Sequence, residues 1–345
     1  MSKRRQARIA ALAALIVMGA TVAPSASAYA PNDPRWQYQN SLRVAGVPEA
    51  WNRSTGSGIV LAMIALAGVD RQHEDLRNQL VPGYDFLNPG AEPPPGGHDT
   101  AAAGVAVAER NNGVGIAGVA PGARLMPIRI GPGWHDSLRL AVDRGAKVIF
   151  YEVEDILWPD DFVGLTSHPI PYEKAMEEAL TYAWSRGAVV IGAAGNEGRP
   201  YCSNPSAYDR VLCVGATDDE FPDQRALRSN WGFGLDLAAH SRHQATDWNS
   251  GEPDNHSAYG PFNGTSGAAA FAAGVAALLM GAGASNEEVV RVLQCTADDL
   301  GPEGPDLIYG HGRIHAGRAM AALGSGITCP SPPATVLDLV RGNRP

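Results

Sequence analysis

The stretch NGTSGAAAFAAGVAALL, residues 263–279, sets Ser266 at the head of a run of glycine, alanine and small apolar residues. A helix made of such residues can be buried on all sides. Its amino end presents free N–H groups and a partial positive charge. A serine there reads either as a nucleophile facing that end or as an ordinary N-cap, for which serine is a preferred residue. Two other segments weigh towards the nucleophile. His98 lies in GGHDTAAAGVAVAERNN, residues 96–112, at the head of a second small-residue helix. Asn196 lies in VVIGAAGNEG, residues 189–198, just past an apolar run.

Around these segments, short runs rich in Val, Ile and Ala alternate with helix-like stretches. Residues 59–65, 147–151, 188–193 and 211–215 read as strands, and 100–110, 173–186, 267–281 and 286–293 as helices. Continuous apolar strands separated by helices predict a parallel sheet covered on both faces. Such sheets carry their sites at strand ends and helix starts. Residues 89–97 and 241–257 read as long loops, rich in Pro, Gly or polar residues. There is no internal repeat.

The amino end has the form of a secretory signal peptide. Lys3, Arg4, Arg5 and Arg8 precede an apolar stretch from 9 to about 22, and Ala26-Ser27-Ala28 offers small residues for cleavage. The apolar run is shorter than the ~20 residues that a membrane span needs. Residues 1–28 are therefore expected to be removed, leaving a secreted, extracellular chain with no membrane span. With 27 basic against 36 acidic residues, nucleic acid is excluded as an expected partner. Four cysteines in an exported chain suggest two disulfides. Of the three pairings, the local one joins Cys202 to Cys213, stapling a loop to the next strand, and Cys295 to Cys329, pinning the tail to a helix.

The order His98, Asn196, Ser266 along an α/β chain resembles that of the subtilases, the subtilisin-like serine proteases. The likeness continues through YAPNDPRW (29–36), GVDRQHEDL (68–76), NNGVGIAGVAPGARL (111–125) and YGHGRIHAGRAM (309–320), and is greatest to the thermitase-like branch. It implies a subtilisin-like three-layer α/β fold with a mostly parallel central sheet flanked by helices. Residues 29–325 would form the peptidase domain and 326–345 a C-terminal tail, and the protein would be a monomer. By the same resemblance Ser266 is the nucleophile, His98 the general base, and the Asn196 amide with the Ser266 backbone N–H the oxyanion hole. No cofactor is implied for catalysis. A structural calcium ion is implied at Asp33, Asp75 and Asn112, with carbonyls of Val114 and Ile116, a set of oxygen ligands suited to a hard cation.

The resemblance breaks at the third member of the triad. Gly68, Val69, Asp70, His73, Asp75 and Leu76 anchor the register, and the family's aspartate falls on Leu66. Loss of that aspartate from a subtilase lowers turnover by roughly 3 × 10⁴, about 6 kcal/mol of barrier. Leucine is expected to present an apolar group to the imidazole N–H. Asp99, next to His98, is expected to cap its helix or to face the cleft, and Asp70 matches a position that the family does not use as the acid. The substrate-binding strand departs as well. KVIFYEVED, residues 147–155, puts Glu152 and Glu154 around Val153 where the family has Ser-x-Gly. Those two glutamates read either as a drifted, solvated edge or as an acidic site for a cationic ligand. Gly267-Ala268-Ala269-Ala270 replaces the family's Met-Ala-Ala-Pro, and Ala239-His240-Ser241 replaces its Ala-Pro-Gly turn. The expected function is that of a severely impaired or inactive peptidase homologue that binds a peptide or protein in the former substrate cleft. The alternative is an active serine endopeptidase with a non-standard third member.

Overall fold

A computed structural model describes residues 30–329 except 132, 153–169, 219, 250 and 253. The signal-peptide reading, Val153, Glu154 and the tail beyond 329 lie outside the described residues.

Seven strands form one parallel sheet: β1 (Val60–Ala65), β2 (Tyr84–Asp85), β3 (Arg124–Arg129), β4 (Val148–Tyr151), β5 (Val189–Ala193), β6 (Val211–Thr217) and β7 (Leu237–His240), in the order β2-β3-β1-β4-β5-β6-β7. The strands are apolar without interruption because both faces are covered. Successive side chains on a strand point to opposite faces. Leu61, Met63 and Ala65 of β1 thus enter one core, and Ala62 and Ile64 the other; Val148 and Phe150 of β4 separate from Ile149 and Tyr151 in the same way.

The larger core is filled by helices α3 (Gly97–Val107) and α6 (Gly264–Gly281), with α2 (Val47–Trp51), α7 (Asn286–Cys295) and α8 (Ala316–Ala322) behind them; α1 (Asn40–Val44) precedes α2. The opposite face is covered by α4 (Trp134–Asp143) and α5 (Ile170–Ser185). This is the expected three-layer arrangement. Helix α6 is long and apolar enough to cross a bilayer by length and composition. Here it is the core helix, buried from Gly267 to Leu279. Its small residues permit this, since a Cβ on Gly274 would stand 2.6 Å from the Val119 Cβ.

Among the elements absent from the sequence reading, two are instructive. Within the expected loop 241–257, His243–Asp247 forms β8, antiparallel to β9 (Ala258–Phe262). Its polar letters conceal buried groups. His243 stacks on Phe271 with ring centroids 5.5 Å apart, and the Thr246 hydroxyl donates to the Thr100 carbonyl at 2.6 Å. Helix α4 was not anticipated; its buried Leu138, Ala141 and Val142 alternate with charged and polar residues. Both expected disulfides form, Cys202–Cys213 and Cys295–Cys329.

Candidate active site

The candidate residues gather at the carboxyl ends of the parallel strands. Leu66 follows β1, Glu152 follows β4 and Asn196 lies three residues beyond β5, while His98 and Ser266 stand in the first turns of α3 and α6. The strand order reverses at β1, where sheets of this type open a crevice.

Ser266 is not the N-cap of α6. That position is Asn263, and Ser266 is the third residue of the helix. The helix's leading N–H groups are taken by neighbours: Gly264 donates to Ser241 Oγ at 3.0 Å and Thr265 to Asn196 Oδ1 at 3.1 Å. Gly264 holds φ +88°, and a Cβ there would lie 2.9 Å from Asn196 Oδ1. The Asn196 amide is thereby fixed with its acceptor end on the helix and its NH2 end turned away from it. The Ser266 N–H comes next in the same turn.

His98 Nε2 lies 3.1 Å from Ser266 Oγ, and His98 Nδ1 lies 3.1 Å from Asp99 Oδ1. Where the Asp99 carboxylate accepts from Nδ1–H, Nε2 is left to accept from the serine hydroxyl. The imidazole is half exposed and meets Phe262 edge-on at 5.1 Å.

The surroundings of that pair correct two expectations. Leu66 presents no apolar wall to the imidazole N–H; it is 53 % exposed, and its carbonyl accepts from Arg129 Nε. Asp99 neither caps its helix nor faces open cleft. It is buried, and its Oδ2 accepts the Ala67 backbone N–H at 2.8 Å. The contact exists because residues 94–96 run beside Gly68. Gly68 N–H donates to the Pro94 carbonyl at 2.6 Å and Gly96 N–H to the Gly68 carbonyl at 3.0 Å. A Cβ on Gly96 would stand 2.7 Å from that of Ala67, so glycine admits the close approach. Asp70, by contrast, pairs with His256 Nδ1 at 2.8 Å, away from the serine.

Glu152 is not a solvated edge. Its side chain is fully buried, and Oε2 stands 3.9 Å from His98 Nε2, the nitrogen that also meets Ser266.

The expected calcium residues do converge, but on protein donors. Asp75 accepts from Asn112 Nδ2 at 2.7 Å, from Ile116 N–H at 2.9 Å and from the Tyr259 hydroxyl at 2.9 Å. Asp33 accepts from the N–H groups of Asn111 and Asn112. Val114 likewise contributes an N–H, to Asn112 Oδ1 at 3.1 Å. A calcium ion takes six to eight oxygens. As arranged, the side-chain oxygens of Asp33, Asp75 and Asn112 face N–H and O–H groups of the protein. Among the described residues no group of three His, Cys, Asp or Glu is placed to hold a metal. Burial pushes the Asp75 carboxyl up to about 6.

A serine and a histidine in contact at the carboxyl edge of a parallel α/β sheet are the arrangement of a serine-hydrolase type of centre. The chain belongs to the subtilase family: the profile of the Subtilase family matches residues 56–312. It is 34% identical over 304 residues to a thermophilic serine proteinase of Bacillus sp. (strain AK1), covering 85% of this chain and 70% of that protein. It is 32% identical over 302 residues to thermitase of Thermoactinomyces vulgaris, covering 85% of this chain and 99% of that one. Among solved structures it resembles a protease of Pseudoalteromonas arctica PAMC 21717 (TM-score 0.69, 27% identity, 85% of this chain and 99% of that chain). It also resembles fervidolysin of Fervidobacterium pennivorans, a keratinolytic enzyme related to subtilisin (TM-score 0.71, 26% identity, 84% and 46%).

Proposed function

We propose that this chain is a secreted, severely impaired serine peptidase whose cleft serves chiefly to hold a peptide or protein segment. The observation that carries the reading is the buried Glu152 carboxylate 3.9 Å from His98 Nε2. A carboxylate so close to that nitrogen crowds the place where it must meet the Ser266 hydroxyl. The same carboxylate occupies ground where the family keeps a small residue against the substrate. Leu66 adds to the impairment, because the strand that should carry the acid has none. Ser266, His98 and Asn196 retain the parts of an acyl-transfer centre, so chemistry is slowed rather than erased. The signal-peptide pattern and the two disulfides support secretion.

A second reading, a working endopeptidase with a non-standard third member, draws on one observation, the Asp99 carboxylate at His98 Nδ1. Hydrolysis of an unstructured protein separates the two. The impaired reading expects fragments only after long incubation and at high enzyme concentration, and none from Ser266→Ala. Digestion as fast as by thermitase would overturn it. Capture of a peptide or protein from culture supernatant by Ser266→Ala tests the binding role, and a cleft that retains nothing would remove it.

A further inference from the structure

The family's acid is missing from the end of β1, yet a carboxylate stands there. We infer that Asp99, the residue after the general base, is the positioning residue for His98 and does the work of the lost strand acid. This rests on the reading that Ser266 keeps some acyl-transfer chemistry.

Three relationships carry it. Asp99 Oδ1 lies 3.1 Å from His98 Nδ1, the nitrogen not used by Ser266. Asp99 Oδ2 accepts the N–H of Ala67, the residue just after the vacated acid position, so the carboxylate is docked at the end of β1 although it is carried by α3. Asp99 is 4 % exposed while Leu66 is 53 % exposed, so the two side chains have exchanged the inward and outward places that a strand-borne acid would impose.

The chemical role follows. Held on its Nδ1–H, the imidazole presents an unprotonated Nε2 to Ser266 Oγ. The serine proton passes to Nε2 as the Oγ–C bond forms, and from Nε2 to the leaving amine as the C–N bond breaks. Asp99 keeps its hydrogen bond throughout and takes no proton. The contact is also weaker than a strand-borne acid would give. At 3.1 Å it is longer than the 2.7–2.9 Å of a strong charge-assisted bond, and the imidazole is half exposed.

The test uses the full secreted chain, with two readouts. The first is the pH profile of the rate at which a fluorophosphonate labels Ser266. The second is ¹⁵N NMR of the His98 ring, which reports which nitrogen is protonated. Asp99→Asn preserves shape and is expected to slow labelling about a hundredfold or more, to move the acid limb of the profile to lower pH, and to shift the ring proton from Nδ1 to Nε2. An unchanged melting temperature in Asp99→Asn separates loss of the acid from loss of fold. Labelling within threefold of wild type in Asp99→Asn, with the proton still on Nδ1, would overturn the assignment while leaving the impaired-peptidase reading intact. An unlabelled wild type whose ring tautomer still depends on Asp99 would overturn that reading and keep Asp99 in its place.

Discussion

Asp99 takes the backbone N–H of Ala67 at 2.8 Å, so an acid borne by a helix ends up at the tip of a strand that has none. The first consequence concerns Leu66. Its side chain is 53 % exposed, and the His98 Nδ1 that an aspartate there would serve already meets Asp99. Leu66→Asp alone is therefore expected to raise the labelling rate of Ser266 less than tenfold. A gain of a thousandfold or more, measured with the same probe, would show that Asp99 contributes little.

Glu152 is the opposite case, a carboxylate whose removal should help. Glu152→Ser takes the charge from 3.9 Å off His98 Nε2 and reopens the cleft. The expected effect is at least about fivefold faster hydrolysis of a peptide substrate, the factor that 1 kcal/mol of barrier makes. A rate unchanged or lowered would mean that Glu152 supports the site.

The Asp33–Asp75–Asn112 cluster is closed by hydrogen bonds in which the Tyr259 hydroxyl meets Asp75 at 2.9 Å and Glu74 at 2.9 Å. Tyr259→Phe removes that donor from a buried carboxylate, at a cost of about 1–3 kcal/mol, and should lower Tm by several degrees. A chelator should leave the wild-type Tm unchanged. A calcium-dependent rise in Tm would show the Asn112 amide and the carboxylates turning to an ion instead.

Two buried imidazoles bear on stability in acid. Burial holds His243 down at about 4 and His240 at about 3, from an ordinary value of 6.5. His243 Nε2 donates to the His240 carbonyl at 2.9 Å and Nδ1 accepts from Ser41 Oγ at 3.0 Å, so the ring is held neutral. Both folded-state values lie below the unfolded one. The stability they contribute is thus present above pH 6.5 and is lost as pH falls towards 4. Thermal melts should show Tm falling between pH 6.5 and 4, and falling less steeply in His243→Gln even though that variant melts lower at pH 7. Equal slopes in variant and wild type would remove His243 from the account.

Four central strands of the sheet were legible because burial on both faces leaves an unbroken apolar signature, as in 189–193 and 211–214. That Ser266 and His98 come together was legible from their order along the chain and the resemblance to the subtilases. Strand β8 was not, since His243 and Thr246 are polar letters whose hydrogen bonds are met only in the folded chain. Helix α4 was missed because its apolar stripe is narrow, with Leu138, Ala141 and Val142 set among charged residues. Asp99 was seen but misplaced. Its direction depends on the pairing of residues 94–96 with Gly68, a long-range register that no local pattern encodes.

The most direct measurement is the rate at which a fluorophosphonate labels the wild-type chain, taken beside Ser266→Ala and thermitase. The account predicts labelling confined to Ser266, abolished in Ser266→Ala, and at least about a thousandfold slower than that of thermitase, short of the full loss that removal of a triad acid produces. A folded wild type that is never labelled, or one labelled as fast as thermitase, would contradict it.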